Sequence, residues 1–236
     1  MISIITPNLN NAKYLEDNIL SIMKLEIPFE HNIVDGGSID GSLEVIKKYP
    51  HIKLINQTEK TGMYGAIDLG INSSQGEILS WINADDRIIK DGYEKMYRIM
   101  KNNNLDLAYS DGYFDFINQN KKIKIKGKKF GIFFLKHGCM PAIQPSMIFT
   151  KNIYKKIGGF DYKNFKICGD LDLFVRIANE KGSKFGYVKT SSSIFIKRGN
   201  SLGDLNHSLY LEEMKNNNLP IPNLFAKILF FILKFI

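Results

Sequence analysis

The sequence predicts an α/β fold around a mostly parallel, Rossmann-like sheet flanked by helices, and three observations predict it. Short β-branched runs alternate with helical-period segments through residues 1–100. The links between them are short and rich in Asp, Asn and Gly. Beyond residue 100 the alternation stops, and strands follow one another directly. Strand–helix alternation with short links produces parallel strands and right-handed crossovers, so the first half is the parallel one and the second half is mixed. No internal repeat or Pro/Ser-rich linker interrupts the chain. One continuous domain is therefore expected over 1–203, with halves 1–100 and 101–203 and a helical tail over 204–236.

The elements follow in order. Residues 2–5 form a first strand, stopped by Thr6-Pro7-Asn8. Asn10 or Asn11 can cap a helix over 13–23, which places Leu15, Ile19, Ile22 and Met23 on one face. A second strand over 32–34 closes at Asp35-Gly36-Gly37-Ser38, and Asp40 can cap the helix that carries Leu43 and Ile46. A third strand covers 52–55, a glycine-punctuated helix 64–72, a fourth strand 78–82 and an amphipathic helix 90–101. In the second half, strands are expected at 107–109, 113–117, 123–126, 146–150 and 193–197, with a short helix over 130–136. Residues 167–179 read as a loop leading into a helix, because Leu171, Phe174, Val175 and Ala178 recur at helical spacing.

Composition narrows the classes of function. Of 236 residues, 44% are hydrophobic and 24% charged, an ordinary soluble balance with room for one large core. Lys plus Arg is 32 and Asp plus Glu 24, a formal charge of +8 that suits nucleotide phosphates, nucleic acid or anionic lipid without choosing among them. Cys139 and Cys168 form no CxxC or short-spaced framework, so free thiols in a reducing, cytoplasmic compartment are expected. The opening apolar run is short and carries no basic start, so it reads as a strand rather than a secretory leader. No GxGxxG follows a strand, Ile71 stands where a P-loop needs Lys, and His31, His51, His137 and His207 form no HExxH.

Two basic or apolar segments leave alternatives open. Residues 121–129 alternate Lys with Ile and Gly and read as an edge strand guarded by lysines. They lack the interleaved aromatics of a nucleic-acid groove, so nucleic acid is not an expected partner, whereas an acceptor-phosphate or lipid-headgroup contact stays open. Residues 224–236 are almost wholly apolar but shorter than the roughly 20 residues a bilayer span needs. Lys227 and Lys234 share a helix face there. The tail is therefore either an amphipathic helix lying on an anionic membrane surface or one packed on protein.

The chemistry concentrates at Trp81-Ile82-Asn83-Ala84-Asp85-Asp86. A buried strand ending in paired acids delivers them to the carboxyl edge of the sheet, where open α/β folds bind ligands. Adjacent carboxylates repel unless a cation or a proton sits between them. Hard oxygen ligands of this kind suit Mg²⁺ or Mn²⁺ shared with a substrate's phosphates. The other reading is helix capping by Asp.

Three further loops fall at the same edge: Thr6-Pro7-Asn8, Asp35-Gly36-Gly37-Ser38-Ile39-Asp40-Gly41-Ser42 and Gly62-Met63-Tyr64-Gly65-Ala66. In this order the motifs make the chain similar to family 2 glycosyltransferases of the GT-A fold, notably bacterial enzymes that build capsule, O-antigen or exopolysaccharide. The resemblance covers the chain up to about Ser201. It implies that Thr6, Pro7, Asn8 and Asp35 hold the base and ribose of a nucleotide-sugar donor, with Tyr64, Asn83 and Ala84 also on the donor side. The family's DxD motif falls on Asn83-Ala84-Asp85, so Asn replaces the first acid, and Mn²⁺ or Mg²⁺ is expected on Asp85 or Asp86. Gly65 stands where related sequences carry Asp.

In the second half, Gly158-Gly159-Phe160-Asp161, Gln144-Pro145 and the segment from Ile167 to Arg176 resemble the acceptor side of the family. The resemblance implies Asp170 as catalytic base, with Gln144 and Asp172 facing the acceptor; Asp172 can also pair with Arg176, four residues on. Arg198 lies in a loop similar to one that closes over the donor's diphosphate. The implied activity is inverting transfer from a nucleoside-diphosphate sugar, UDP-linked, to a hydroxyl of a glycan or lipid-linked acceptor. The implied place is the inner face of the cytoplasmic membrane, held peripherally. Asn83 and Gly65 keep a second possibility in view, a catalytically impaired, membrane-associated nucleotide-binding scaffold. A sugar nucleotidyltransferase would want a Gly-rich basic loop near the start, where Thr6–Tyr14 offers only Lys13.

Overall fold

The structure, a computed structural model, describes residues 1–199 and 207–222. Its sheet has nine strands. The first half supplies β1 (Ile2–Asn8), β2 (Phe29–Asp35), β3 (Ile52–Asn56) and β4 (Ile78–Trp81), ordered β3-β2-β1-β4 and all parallel. Helices α1 (Ala12–Met23), α2 (Ser42–Lys47) and α3 (Gly62–Asn72) make the crossovers. Ile4 and Ile5 are both fully buried because helices cover both sheet faces, which is why these strands read as continuous apolar runs. Ile33 packs with Leu15, Ile19 and Ile46 of α1 and α2, while its neighbour Val34 packs with Ile67 and Ile71 of α3 on the opposite face.

Register places the loops. Asn8 lies opposite Asp35, and Asp35 opposite Asn56, so β1, β2 and β3 end level at one edge. The expectation that the first-half motifs share one sheet edge holds.

The mixed half continues the same sheet as β8 (Met147–Thr150), β6 (Leu107–Phe116), β9 (Phe185–Ile196) and the two-residue β5 (Arg87–Ile88). Strand β8 runs antiparallel to β4, and β7 (Lys121–Ile125) forms a hairpin on β6. Around them lie α4 (Lys90–Asn102), α5 (Gly131–Lys136), α6 (Lys151–Lys156), α7 (Gly169–Asn179) and α8 (His207–Asn216). Trp81, at the end of β4, stacks on Phe174 of α7 at 5.6 Å and meets Phe160 and Phe149 edge-on, so one aromatic cluster joins the two halves.

Three expectations need correction. The separate strands over 107–109 and 113–117 are one strand, β6. Ser110-Asp111-Gly112 has turn composition, but Asp111 is buried and bonded to the Gly127 amide and the Tyr187 hydroxyl, and β9 follows with register shifts instead of a break. Strand β9 starts at Phe185 rather than near 193. Its polar stretch is satisfied across the sheet, Ser192 to Ser110 and Ser193 to Ser146, each at 2.6 Å. Third, neither Asn10 nor Asn11 caps α1; the Asp40 carboxylate reaches across to the Ala12 amide at 2.9 Å.

The expected tail helix over 224–236 lies outside the described residues. Among the described residues no helix is long and apolar enough to cross a membrane.

Candidate active site

At the edge where β1 and β2 end, Asn8 and Asp35 form one unit. The Asn8 amide donates to Asp35 Oδ1 at 2.8 Å and to Ser38 Oγ at 3.0 Å. Asp35 Oδ2 accepts from the Gly37 and Ser38 amides, and the Ser38 hydroxyl donates to Oδ1 at 2.6 Å. Burial pushes the Asp35 carboxyl up, but the hydrogen bonds from Ser38, Asn8 and Gly37 together outweigh it and hold it below the usual carboxylate range. Asp35 is thus an ionised brace for the β2–α2 loop, with the side-chain Oδ1 of Asn8 beside it lacking a partner among the described residues. Pro7 is half-buried next to it. Thr6 is turned inward: its hydroxyl meets His31 Nε2 at 3.0 Å and Asn18 Oδ1 at 3.4 Å. Its side chain therefore sits below the edge and supports α1 rather than facing a donor.

The acid turn separates its two carboxylates. Ala84 is buried among Leu15, Ile19, Ile33 and Ile46 and anchors the turn. Asn18, on the buried face of α1, donates to the carbonyls of both Asn83 (3.0 Å) and Asp86 (2.9 Å) and so fixes the turn's shape. Asp85 stays partly exposed and meets the Arg198 guanidinium at 2.5 Å. That guanidinium also lies 4.9 Å from the ring centre of Tyr14. Asp86 points inward, is 1% exposed, and accepts from the Ile196 amide of β9 at 2.9 Å. Its second oxygen has no partner among the described residues.

Burial first, and then the Asp85 carboxylate, push Asp86 well above the usual range. The raised carboxyl favours the protonated form of Asp86, which lowers repulsion within the pair. Neither acid caps α4, whose N-terminal boundary is Ile89 without a side-chain cap. The pair that looks equivalent in sequence is a surface acid and a buried one.

Asp170 lies in the first turn of α7. Its Oδ1 accepts from the Leu171 amide at 2.8 Å and the Tyr64 hydroxyl at 3.2 Å. Burial pushes its carboxyl above the ordinary value, against the opposing effect of the Leu171 and Tyr64 bonds. The single Tyr64 hydroxyl proton is shared between Asp170 and the Ile167 carbonyl, 2.8 Å away, and the ring stacks on Phe160 at 5.3 Å. It is buried, so it acts on Asp170 from inside and is not a donor-facing surface. A Cβ at Gly169 would lie 2.7 Å from the Tyr64 ring, so glycine lets α7 begin against it. At the departure from the family pattern, a Cβ on Gly65 would lie 2.0 Å from Thr61 Oγ1. Thr61 fills the space a side chain there would need, and Gln57 holds it at 2.8 Å.

A groove of about 590 Å³ opens over Asp170, lined also by Gln144 and by residues of β6, β7 and β9. Gln144 donates to the Trp81 carbonyl at 2.9 Å, tying this groove to the end of β4 just before the acid turn. The expectation for Asp172 is corrected. It is buried, paired with Arg176 at 2.6 Å, and Arg176 in turn donates to the Ile157 carbonyl at 2.8 Å. Asp172 therefore braces the Gly158-Gly159 turn and does not line the groove.

The sequence reading missed Asn18 and Glu213. Glu213 of α8 accepts from the amides of Lys166, Ile167 and Cys168 at 2.8–3.1 Å, in the loop leading to Asp170. A polar residue on an apolar helix face was the available signal for Asn18; Glu213 carried none.

A parallel half-sheet with an Asx-rich edge and a half-exposed acid after its fourth strand, joined to a mixed half that offers a carboxylate over a groove, is the GT-A glycosyltransferase architecture. The chain belongs to glycosyl transferase family 2, whose family model matches residues 3–158. It is 28% identical over 208 residues to an uncharacterized glycosyltransferase of Haemophilus influenzae, covering 83% of each chain. It is 28% identical over 118 residues to the putative teichuronic acid biosynthesis glycosyltransferase TuaG of Bacillus subtilis, covering 48% of this chain and 46% of that one.

Among solved structures, Staphylococcus aureus TarS 1–349 in complex with UDP superposes with a TM-score of 0.66 at 16% identity, covering 91% of this chain and 65% of that one. The mannosyltransferase PcManGT of Pyrobaculum calidifontis, in complex with GDP-Man and Mn²⁺, does so with a TM-score of 0.65 at 16% identity, covering 97% and 64%. These structures share the fold, and this chain spans a little under two thirds of their length.

Proposed function

We propose that the chain transfers a sugar, with inversion, from a UDP-linked donor to a hydroxyl of a glycan or lipid-linked acceptor in bacterial surface polysaccharide synthesis. The observation that carries this is Gln144: it lines the groove that Asp170 opens into and hydrogen-bonds the end of β4, the strand that leads into the turn holding Asp85. Acceptor base and donor edge are thereby built into one rigid unit. TarS complexed with UDP and PcManGT with GDP-Man support a nucleotide-sugar donor on this fold. The donor half is 1–100, the acceptor half 101–203, and the apolar segment 224–236 of the tail would hold the enzyme on the inner membrane face.

The residues fit a divalent cation. Among the described residues no three His, Cys, Asp or Glu side chains cluster for one. Mn²⁺ or Mg²⁺ shared with a diphosphate needs only one or two carboxylates, and Asp85 supplies one. When bound, the ion would neutralise charge growing on the leaving diphosphate. Asp170 accepts the proton of the attacking hydroxyl. Arg198, beside Asp85, supplies a guanidinium to the same diphosphate. Asn8 and Asp35 hold base and ribose, and displacement from the face opposite the diphosphate inverts the anomeric carbon.

The test is calorimetric titration of UDP-, GDP- and TDP-sugars with Mn²⁺, Mg²⁺ or EDTA, followed by NMR of the product anomer. Metal-dependent binding of one donor and an inverted product are expected. Silence toward every donor would favour a scaffold instead.

The two acids make a separate prediction. Asp85→Asn should abolish the metal-dependent gain in donor affinity, whereas Asp86→Asn should keep it. Because the Asp86 carboxyl is raised in the folded state, the fold holds an extra proton between the unfolded and folded values, and stability falls as pH rises through that window. Asp86→Asn should flatten this slope in urea melts across pH. A Mn²⁺ response lost in Asp86→Asn but kept in Asp85→Asn would reverse the assignment.

A further inference from the structure

Helix α1 carries a polar seam in its buried face. Leu15, Ile19 and Ile22 bury apolar side chains there, yet between them Asn18 is fully buried and Ser21 nearly so. An amide buried in an apolar stripe costs desolvation unless its polar atoms are met. Asn18 is met by the chain that follows β4. Its two amide protons go to the carbonyls of Asn83 and Asp86, which bracket Ala84 and Asp85. The Asp86 amide closes the same turn on the Asn83 carbonyl at 2.9 Å. Ser21 takes the next stretch, accepting from the Ile88 amide at 3.1 Å.

With both amide protons spent, Asn18 Oδ1 can only accept, and the Thr6 hydroxyl faces it at 3.4 Å. Thr6 has one proton to give, so its oxygen takes the proton of His31 Nε2, 3.0 Å away. Burial pushes His31 down to about 3, so the ring is neutral with a single N–H. Its Nδ1 is then a bare acceptor, and Nδ1 is the ring nitrogen without a partner among the described residues. Donation thus runs one way, from His31 through Thr6 and Asn18 into the acid turn, and each bond polarises the next. Core packing does not ask for this chain. An aliphatic side chain at position 18 would fill the stripe equally well, but would leave both carbonyls of the turn unmet.

We propose that Asn18 is a positioning residue for the cation: by holding the carbonyls on either side of Ala84 and Asp85, it presents the Asp85 carboxylate to a divalent ion shared with the donor's diphosphate. The inference rests on the transferase reading and on Asp85 as the ligand. Groups that orient a metal ligand from behind typically control roughly 10–100-fold of metal affinity.

The full chain and its variants are titrated calorimetrically with UDP and with GDP, each in Mn²⁺ and in EDTA; the metal gain is the ratio of the two dissociation constants. Asn18→Ala should lose about tenfold or more of that gain, while affinity in EDTA changes far less. Thr6→Val, nearly isosteric, removes only the partner of Oδ1 and should lose a smaller part, and Thr6→Ser should restore it. Ser21→Ala loosens Ile88 from the same helix and should lower melting without moving the gain. A parental gain in folded Asn18→Ala overturns the proposal. So does an equal loss in Ser21→Ala, which would make Asn18 a structural brace only. Should Asn18→Ala fail to fold, a parental gain in Thr6→Val overturns it. A parent protein that binds neither nucleotide with Mn²⁺ overturns the transferase reading itself, whereas a parent with the gain and indifferent variants overturns only the positioning role.

Discussion

Asp170→Asn is expected to leave a folded protein that binds donor normally and transfers sugar roughly 10²–10⁴-fold more slowly, the usual worth of a positioned general base. Asn keeps the shape and can still accept from the Leu171 amide and the Tyr64 hydroxyl. What it cannot do is take a proton. Stability should not suffer. Burial raises the Asp170 carboxyl, so the folded chain binds more protons than the unfolded one between the two values, and stability falls as pH rises through that window. Asn removes that fall, and melting at neutral pH should be unchanged or higher.

The same shift predicts the rate profile. The acidic limb of kcat/KM should lie above the ordinary carboxylate range, dropping about tenfold per pH unit below the raised value. Tyr64→Phe, which removes a bond that favours the ionised form, should move that limb further up. Near-parental turnover by Asp170→Asn would end the assignment; an acidic limb at the ordinary carboxylate value would show that burial does not tune the base.

How far the site was legible follows from how far its contacts reach along the chain. Asn8, Asp35 and Asp85 sit where parallel strands end, and strand ends are marked by local composition, so the donor edge could be placed without the fold. The order of motifs around Asp170 carries the resemblance that implies its role as base. Asp172 could not be assigned: its spacing to Arg176 was visible, but only packing shows Arg176 reaching the Ile157 carbonyl and turning the pair inward. The difference between Asp85 and Asp86 was equally hidden. It depends on an amide of β9, 110 positions away, that claims Asp86. Asn18 bridges the acid turn from 65 and 68 positions upstream. Thr6 and Tyr64 are implied as donor contacts by the resemblance alone, and the sequence does not show that each side chain has interior partners, His31 and Asn18 for Thr6 and the Ile167 carbonyl for Tyr64.

Glu213 has the second large effect, and it lies beyond residues 3–158, the stretch that matches the family model. Its carboxylate collects the amides of Lys166, Ile167 and Cys168, just ahead of the helix whose first turn carries Asp170. Negative charge at that helix start is also favoured by the helix dipole. Met214 and Leu219 bury their side chains in the main core beside it, so α8 is a clamp on the loop that leads to Asp170.

Glu213→Ala strands three amides at once. At about 1 kcal/mol or more each, the loss is roughly 3 kcal/mol, or about 6–12 °C in melting temperature for a chain of this size. Glu213→Gln retains one carbonyl acceptor and should fall between the two. If the clamp positions Asp170, kcat should drop in both variants at temperatures where they are fully folded, while donor KM holds, because Glu213 bonds the loop before Asp170 and, among the described residues, makes no hydrogen bond to Asn8, Asp35 or Asp85. A purely structural role would lower melting without this split between kcat and KM. Parental melting in Glu213→Ala would mean that the three amides find other partners and that α8 is no clamp.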